Sequence, residues 1–165
     1  MARSLPTLGA LLQHLLNVLD DDVLALYSAL DLDYRPRFTP VVRFVAENGP
    51  SSIRSIASGT ALTHSAASQT VAELVKHGLV RTAAGKTDAR ERVVQLTPKA
   101  RAMLPRLQEC WAATNAVVTD LEHSLGCDVS LVLRGAIEEL EKESFFDRLA
   151  AHLELPARAR ARDAG

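Results

Sequence analysis

The sequence has 165 residues, 47% of them apolar and 24% charged, which is ordinary for a globular protein and excludes a disordered chain. Aromatic residues contribute only 4% while Ala and Leu are abundant, so helices are favoured over a β-sandwich or barrel. Two cysteines are too few for a disulfide framework, and no uninterrupted apolar run reaches about 18 residues. We therefore expect a cytoplasmic protein that does not span a membrane.

The net charge of −1 conceals a strong asymmetry along the chain. Residues 34–107 carry nine Arg and three Lys against four acidic residues, a net charge of +8, whereas the remainder carries −9. A basic centre between acidic ends is expected of a module that binds a polyanion and is mounted on a different scaffold. Chance clustering of charge on a solvated face explains the same count equally well.

The first third of the chain predicts two helices joined by a connector. Apolar residues recur at helical spacing from Leu8 to Leu30. Residues 31–36 interrupt this spacing and form the connector. Thr39-Pro40 then predicts a second helix that Thr39 caps, and residues 48–50 predict its end.

The next segment predicts a short helix, a turn and a third helix. Ser52 opens the short helix, and Gly59 ends it. Thr63 is expected to cap the third helix, which runs to about His77. Its expected apolar face consists of Ala67, Val71, Leu74 and Val75.

Residues 79–82 and 92–96 are short β-branched runs on either side of a polar, basic loop, and they predict a hairpin. Thr97-Pro98 predicts the start of a long helix that ends before Gly126. One last helix is expected from about Asp128 to His152. The fold class is therefore mainly α with a small β-hairpin wing.

This order of elements is that of a winged helix-turn-helix. A helix fits the major groove of B-DNA, where Gln bonds adenine in bidentate fashion and short polar side chains reach base edges or phosphates. Basic groups on a projecting loop reach phosphates or the minor groove. The candidate DNA-binding residues are Arg54, Thr63, His64, Ser65, Ser68, Gln69, Thr70, Arg81, Lys86, Arg90 and Arg92.

For several of these arginines a plain structural role stays open. Arg54 has an alkyl stem that can cover apolar surface, and Arg81 can pair with an acid in the wing. Arg90 and Arg92 can be solvated wing charges.

Three stretches carry a family likeness: Ser-Ile-Arg-Ser-Ile-Ala at 52–57 with Leu-Thr-His-Ser-Ala-Ala-Ser at 62–68, Leu-Val-Lys-His-Gly-Leu-Val at 74–80, and Asp-Ala-Arg at 88–90 leading to Leu-Thr-Pro at 96–98. On these residues the segment resembles the MarR family of bacterial and archaeal transcription regulators. The resemblance implies that Asp88 orients a DNA-contacting Arg90. The turn glycine sits early for the family, at Gly59.

The resemblance also implies an architecture and partners. A winged helix-turn-helix lobe would span residues 34–100, and a helical dimerisation lobe would comprise 1–33 and 101–155. Independently of the resemblance, the alternating Ala and Arg residues of the tail predict that 156–165 is disordered. A homodimer would then bind pseudopalindromic double-stranded DNA with recognition helices about 34 Å apart. A small aromatic or anionic effector would bind at His14, Phe38, Arg43 and Trp111.

Three other functions compete with this one. A winged helix can also dock another protein, and Cys110 and Cys127 make a redox-responsive regulator conceivable. Cys110 beside Trp111 is expected to be a buried hydrophobe, whereas Cys127 stands at a helix junction. Neither an acid/base pair, a nucleophile nor metal-ligand spacing is present in the sequence, so we expect no enzyme, no metal and no cofactor.

Overall fold

The computed structural model describes residues 6–60, 62–84 and 92–155. The helices are α1 Leu8–Ala29, α2 Thr39–Asn48, α3 Ile53–Gly59, α4 His64–Lys76, α5 Pro98–Leu125, α6 Val129–Lys142 and α7 Phe145–His152, and the strands are β1 Ser51–Ser52, β2 Val80–Ala84 and β3 Arg92–Leu96. The chain divides into two compact units at Thr114 and Asn115. None of the described helices is both long and apolar enough to cross a membrane.

The first unit contains a winged helix-turn-helix, which confirms the expected fold class. The caps predicted for α3 and α4 are present: Ser52 accepts a hydrogen bond from the Ser55 N–H, and Thr63 accepts one from the Ala66 N–H, each at 3.1 Å. Each cap satisfies a backbone donor that the first helical turn leaves without a partner. These two hydroxyl groups therefore set where α3 and α4 begin.

The prediction that Thr39 caps α2 is wrong. A 3₁₀ turn at Pro36–Phe38 leads into the helix, so that Phe38 is the N-cap and Thr39 is already helical. Pro36 explains this arrangement, because its fixed φ starts a 3₁₀ turn three residues before Thr39, so that the chain is already helical when it reaches Thr39. The helix ends as expected at Gly49, whose φ of 76° is accessible to glycine at little cost.

The wing is part of a three-stranded antiparallel sheet with the order β1-β3-β2. The expected hairpin is present, with Val80 opposite Leu96 and Arg81 opposite Gln95. The third strand is β1, in which Ser52 pairs with Val93. The sequence did not predict β1, since two serines carry no strand signal and pair only because the fold brings them beside β3.

An aromatic chain fills the core of the first unit. Phe38 is 0% exposed, and its ring meets Tyr34 edge-on at 5.8 Å and His77 at 5.2 Å. Tyr34 in turn contacts Tyr27 at 5.1 Å, also edge-on. Edge-to-face contacts of this kind stabilise a core beyond the area that they bury. The rings tie α1, the 3₁₀ turn and the end of α4 into one body.

A charged cluster fixes the end of α4 against the start of α5. Asp33 Oδ1 lies 3.3 Å from His77 Nδ1, and Asp33 Oδ2 lies 3.5 Å from Lys99 Nζ. Lys99 also donates to the His77 carbonyl at 3.0 Å, and the Thr97 hydroxyl donates to the Gly78 carbonyl at 2.7 Å. Burial acts to raise the pKa of Asp33, but the hydrogen bond and charge of His77, followed by those of Lys99, hold that pKa below its usual range. Asp33 thus stabilises the fold above its unfolded-state pKa, and this contribution is lost as the pH falls through the lowered value.

Gly59 ends α3 at a close contact with α2. A Cβ atom built on Gly59 would lie within 2.9 Å of three ring atoms of Phe44. We expect Gly59→Ala to lower the free energy of unfolding by about 1–3 kcal/mol, because the Phe44 ring must leave its position. Urea denaturation measures this loss. Gly9→Ala is the matched control, since its Cβ would meet nothing within 4 Å.

Adding Phe44→Leu to Gly59→Ala should recover part of the lost stability, because the smaller side chain makes room for the new methyl group. Equal unfolding free energies for Gly59→Ala and the wild type would show that the ring moves at no cost. Gly59 would then be only a turn residue.

After α5 the second unit contains two helices, α6 and α7, where the sequence predicts one, so the single helix from Asp128 to His152 is wrong. The chain breaks after α6, and Ser144 caps α7 by accepting from the Asp147 N–H at 3.1 Å and donating to Asp147 Oδ2 at 2.6 Å. The Ser-x-x-Asp spacing is that of a capping box, and it could have revealed the break. Large apolar side chains of both helices are exposed: Leu131, Val132, Leu133, Ile137, Leu140, Phe145, Phe146 and Leu149.

Candidate nucleic-acid interface

The candidate recognition helix α4 has one buried and one exposed side. Ala67, Val71 and Leu74 are buried in the core, as the sequence predicts. Val75 was expected on the same face but is 44% exposed, because it stands at the edge of the buried arc, one residue past Leu74. The opposite side is therefore free to meet a ligand.

Four exposed residues form a line along the outer side of α4, which we call the outer stripe: Ser65, Gln69, Ala72 and Lys76. Their spacing of four, three and four residues keeps them within about 60° of one another around the helix. The stripe thus presents a hydroxyl, an amide, a methyl group and an ammonium in order. Lys76 was not among the sequence candidates, although its spacing from Gln69 could have identified it.

The remaining candidates on α4 flank the outer stripe. His64 is exposed in the first turn. Thr63 is exposed, and its hydroxyl oxygen already accepts from the helix backbone, so that its O–H remains as a donor. Ser68 and Thr70 are half-buried, and Thr70 is turned toward the core side of the helix. Ser68 and Thr70 are thus less accessible than the exposed residues of the outer stripe.

Several cations of the first unit have acidic partners and several do not. Arg37 is ion-paired with Glu73 of α4, and Arg106 with Glu109 at 2.6 Å. Arg54 in the first turn of α3 and Arg92 at the start of β3 are both exposed. Neither arginine has an acidic partner among the described residues.

Arg81 on β2 is also exposed, and its guanidinium donates to Gln95 Oε1 across the hairpin at 3.4 Å. This contact involves an amide, so that the charge of Arg81 is not neutralised by it. Lys86, Asp88 and Arg90, which the sequence predicts at the wing tip, lie outside the described residues.

Two of the four predicted effector residues are in contact. The Arg43 guanidinium lies over the Trp111 ring, 5.5 Å from its centroid, and 3.7 Å from Glu47. The indole Nε1 of Trp111 is buried beside Tyr27 and makes no hydrogen bond of good geometry in the part of the chain that the structure describes. Phe38 instead belongs to the core, and His14 is exposed on α1.

The cysteines and potential metal ligands are placed as follows. Cys110 is buried at 4% exposure, as expected, and Cys127 is exposed. Within residues 6–60, 62–84 and 92–155, no three His, Cys, Asp or Glu side chains gather closely enough to hold a metal ion.

Comparison with known proteins identifies the segment that carries this site. Residues 39–91 match the model of the MarR family. The matched residues include α2, α3, α4 and β2, and hence the whole outer stripe. A search of curated proteins found no match.

Solved structures of similar fold are transcriptional regulators. A probable transcriptional regulator from Pseudomonas aeruginosa is 25% identical, with a TM-score of 0.52 over 78% of this chain and 96% of its own. The transcriptional repressor CouR, solved on a 23-mer DNA duplex, is 20% identical with a TM-score of 0.59 over 84% and 99%. PcaV from Streptomyces coelicolor, solved with its natural ligand, is 19% identical with a TM-score of 0.57 over 86% and 99%.

Proposed function

Since the chain belongs to the MarR family of transcription regulators, we propose that it is a sequence-specific repressor that binds pseudopalindromic duplex DNA as a homodimer and responds to a small ligand. The outer stripe of α4 is the observation that carries this proposal. Acting on DNA would place the protein in the cytoplasm. No part of this function requires catalysis.

The outer stripe has the chemistry that a major groove reads. In this proposal Gln69 donates to and accepts from the edge of one adenine, while Ser65 reaches a neighbouring base or phosphate. Ala72 is small enough to let the helix approach and offers a methyl group to a thymine. The Lys76 ammonium contacts a backbone phosphate and supplies affinity without sequence preference.

Cations outside the helix would hold the lobe on the DNA backbone. Arg54 and Arg92 are exposed and lack acidic partners among the described residues, so that their charge is available to phosphates. Lys86 and Arg90, oriented by Asp88, would extend this contact from the wing. Arg37 is a weaker candidate, because Glu73 already neutralises it.

Exposed apolar helices support the homodimer. In α1 one face consists of leucines at least 39% exposed, namely Leu8, Leu11, Leu12, Leu15, Leu16 and Leu19. The helices α6 and α7 expose a further set, and single chains rarely leave so much apolar surface in water. A second copy of the chain would cover the leucine face of α1 and the α6 face of Leu133, Ile137 and Leu140, and would present two α4 helices to successive grooves.

Arg43 and Trp111 support the effector. A guanidinium over an indole offers a cation and an aromatic wall to a small anion, which would compete with Glu47 for Arg43. The solved regulators CouR and PcaV carry DNA and a natural ligand respectively, which makes both partners reasonable for this fold. Phe38 would support this site from the core.

DNA binding is tested by fluorescence anisotropy on the gene's own upstream region at several salt concentrations. We expect Lys76→Ala, Arg92→Ala and Arg90→Ala to weaken binding to all sequences and to lower the salt slope by about 1 each. Gln69→Ala should instead reduce the preference for the operator over unrelated DNA. Arg106→Ala is the control, because Glu109 already neutralises that arginine.

The absence of binding by the wild-type protein at low salt would favour the alternative, a winged helix that docks another protein. Equal losses on operator and unrelated DNA in Gln69→Ala would remove Gln69 from the base-reading residues. An unchanged salt slope in Arg90→Ala would contradict the assignment of the wing.

A further inference from the structure

An open cleft of about 260 Å³ lies within the first unit, away from the outer stripe. The end of α2, the end of β3 and the first turns of α5 form its walls. Val45, Leu96 and Leu104 give it an apolar lining, and the first two of these are buried. Gly49 also lines it, and a Cβ there would meet nothing within 4 Å. The cleft thus has an apolar interior that is open on one side.

Two polar side chains complete the lining. Arg101 is exposed in the second turn of α5, and it has no ion-pair partner in the described ranges. Gln95 uses its Oε1 to accept from Arg81, which leaves its amide N–H groups without a partner among those residues. No acidic residue lines the cleft, so its net charge is positive. A single cation over an apolar interior is suited to an amphipathic monoanion.

This cleft is separate from the effector residues discussed above. None of His14, Phe38, Arg43 and Trp111 lines it. Its volume lies just below the roughly 300–1,000 Å³ that is typical of sites for drug-sized molecules. An occupant would therefore be small, about the size of one substituted ring or a short branched chain.

We propose that this cleft is a second ligand site, which binds a small monocarboxylate with an apolar ring or chain. The carboxylate accepts from the Arg101 guanidinium and the Gln95 amide, and the apolar part lies against Val45, Leu96 and Leu104. Such a ligand bridges β3 of the wing and the first turns of α5. Any effect on DNA affinity rests on the proposed function, whereas the binding itself does not.

The experiment is an NMR titration of the full-length ¹⁵N-labelled protein with benzoate, in the absence of DNA. We expect saturable shifts at the amides of Leu96 and Leu104, and a far weaker response to benzamide, which has the same ring without the charge. Arg101→Gln should weaken benzoate binding at least tenfold. Arg106→Gln, an exposed arginine on the same helix, should leave the affinity unchanged.

Arg43→Gln separates this cleft from the effector residues. A tenfold loss in Arg43→Gln with full affinity in Arg101→Gln would place benzoate beside Trp111 and overturn the proposal. Equal affinities for benzoate and benzamide, or the absence of saturable shifts, would overturn it as well. Because DNA is absent throughout, a protein that failed every DNA assay would still give a clear result here.

Discussion

Replacement of Phe38 by alanine is expected to lower the free energy of unfolding by about 3–5 kcal/mol, the range observed for large aromatic residues truncated inside a core. The ring is completely buried and makes edge-on contacts with Tyr34 and His77. Its loss leaves a cavity where α1, the 3₁₀ turn and the end of α4 meet, and the surrounding backbone cannot fully close it. Urea denaturation followed by circular dichroism measures the change.

Val75→Ala is the matched control for Phe38→Ala, since it also truncates an apolar side chain near the end of α4. Val75 is 44% exposed, so its loss should change the stability by about 0.5 kcal/mol or less. A loss below about 1 kcal/mol in Phe38→Ala would contradict the buried position of the ring. Phe38 would then be available again as a residue that contacts the effector.

The second large effect is expected from a charge placed on the apolar face of α6. Ile137 is 56% exposed and lies on the same side of the helix as Leu133 and Leu140. If a second copy of the chain covers this face, Ile137→Glu buries an uncompensated carboxylate and dissociates the dimer. Operator affinity should fall by at least a hundredfold with it, because a single lobe reads only one half-site. Analytical ultracentrifugation and anisotropy measure the two effects.

Leu131→Glu is the matched control on the same helix. Leu131 is 60% exposed and lies about 120° around α6 from Ile137. The substitution Leu131→Glu therefore introduces the same charge on another side of the helix. We expect it to remain dimeric and to bind the operator. If Ile137→Glu is monomeric but binds the operator with full affinity, the two-lobe geometry is contradicted. If Ile137→Glu stays dimeric, the dimer interface lies on a face other than that of Ile137.

The boundaries of most helices followed from local chemistry. Ser52, Thr63 and Thr97 cap the helices that the sequence assigns to them, and Gly49 ends α2 in the conformation that glycine adopts easily. Such signals act within four residues, and a sequence reveals them directly. The capping box at Ser144 is equally local, and the single long helix was expected only because the apolar spacing continues through it.

Contacts between distant segments were not predictable in the same way. The pairing of β1 with β3 joins residues that are about forty positions apart, and the serines of β1 carry no preference for it. The division of cations into those with and without acidic partners also depends on the fold, since Arg37 meets Glu73 only after α4 has packed. For the candidate site, the sequence identified most of α4 but included the half-buried Thr70 and omitted Lys76.

The central position of β3 has a consequence for the divergence of such proteins. Because β1 and β2 pair with this strand from both sides, its register is set by those pairings and does not depend on the length of the connection between Ala84 and Arg92. Insertions or deletions within that connection would leave Arg92 where it stands and cost little closure entropy. Descendants of one gene could therefore acquire wings of different reach, and with them new target sequences, without redesigning the domain that carries them.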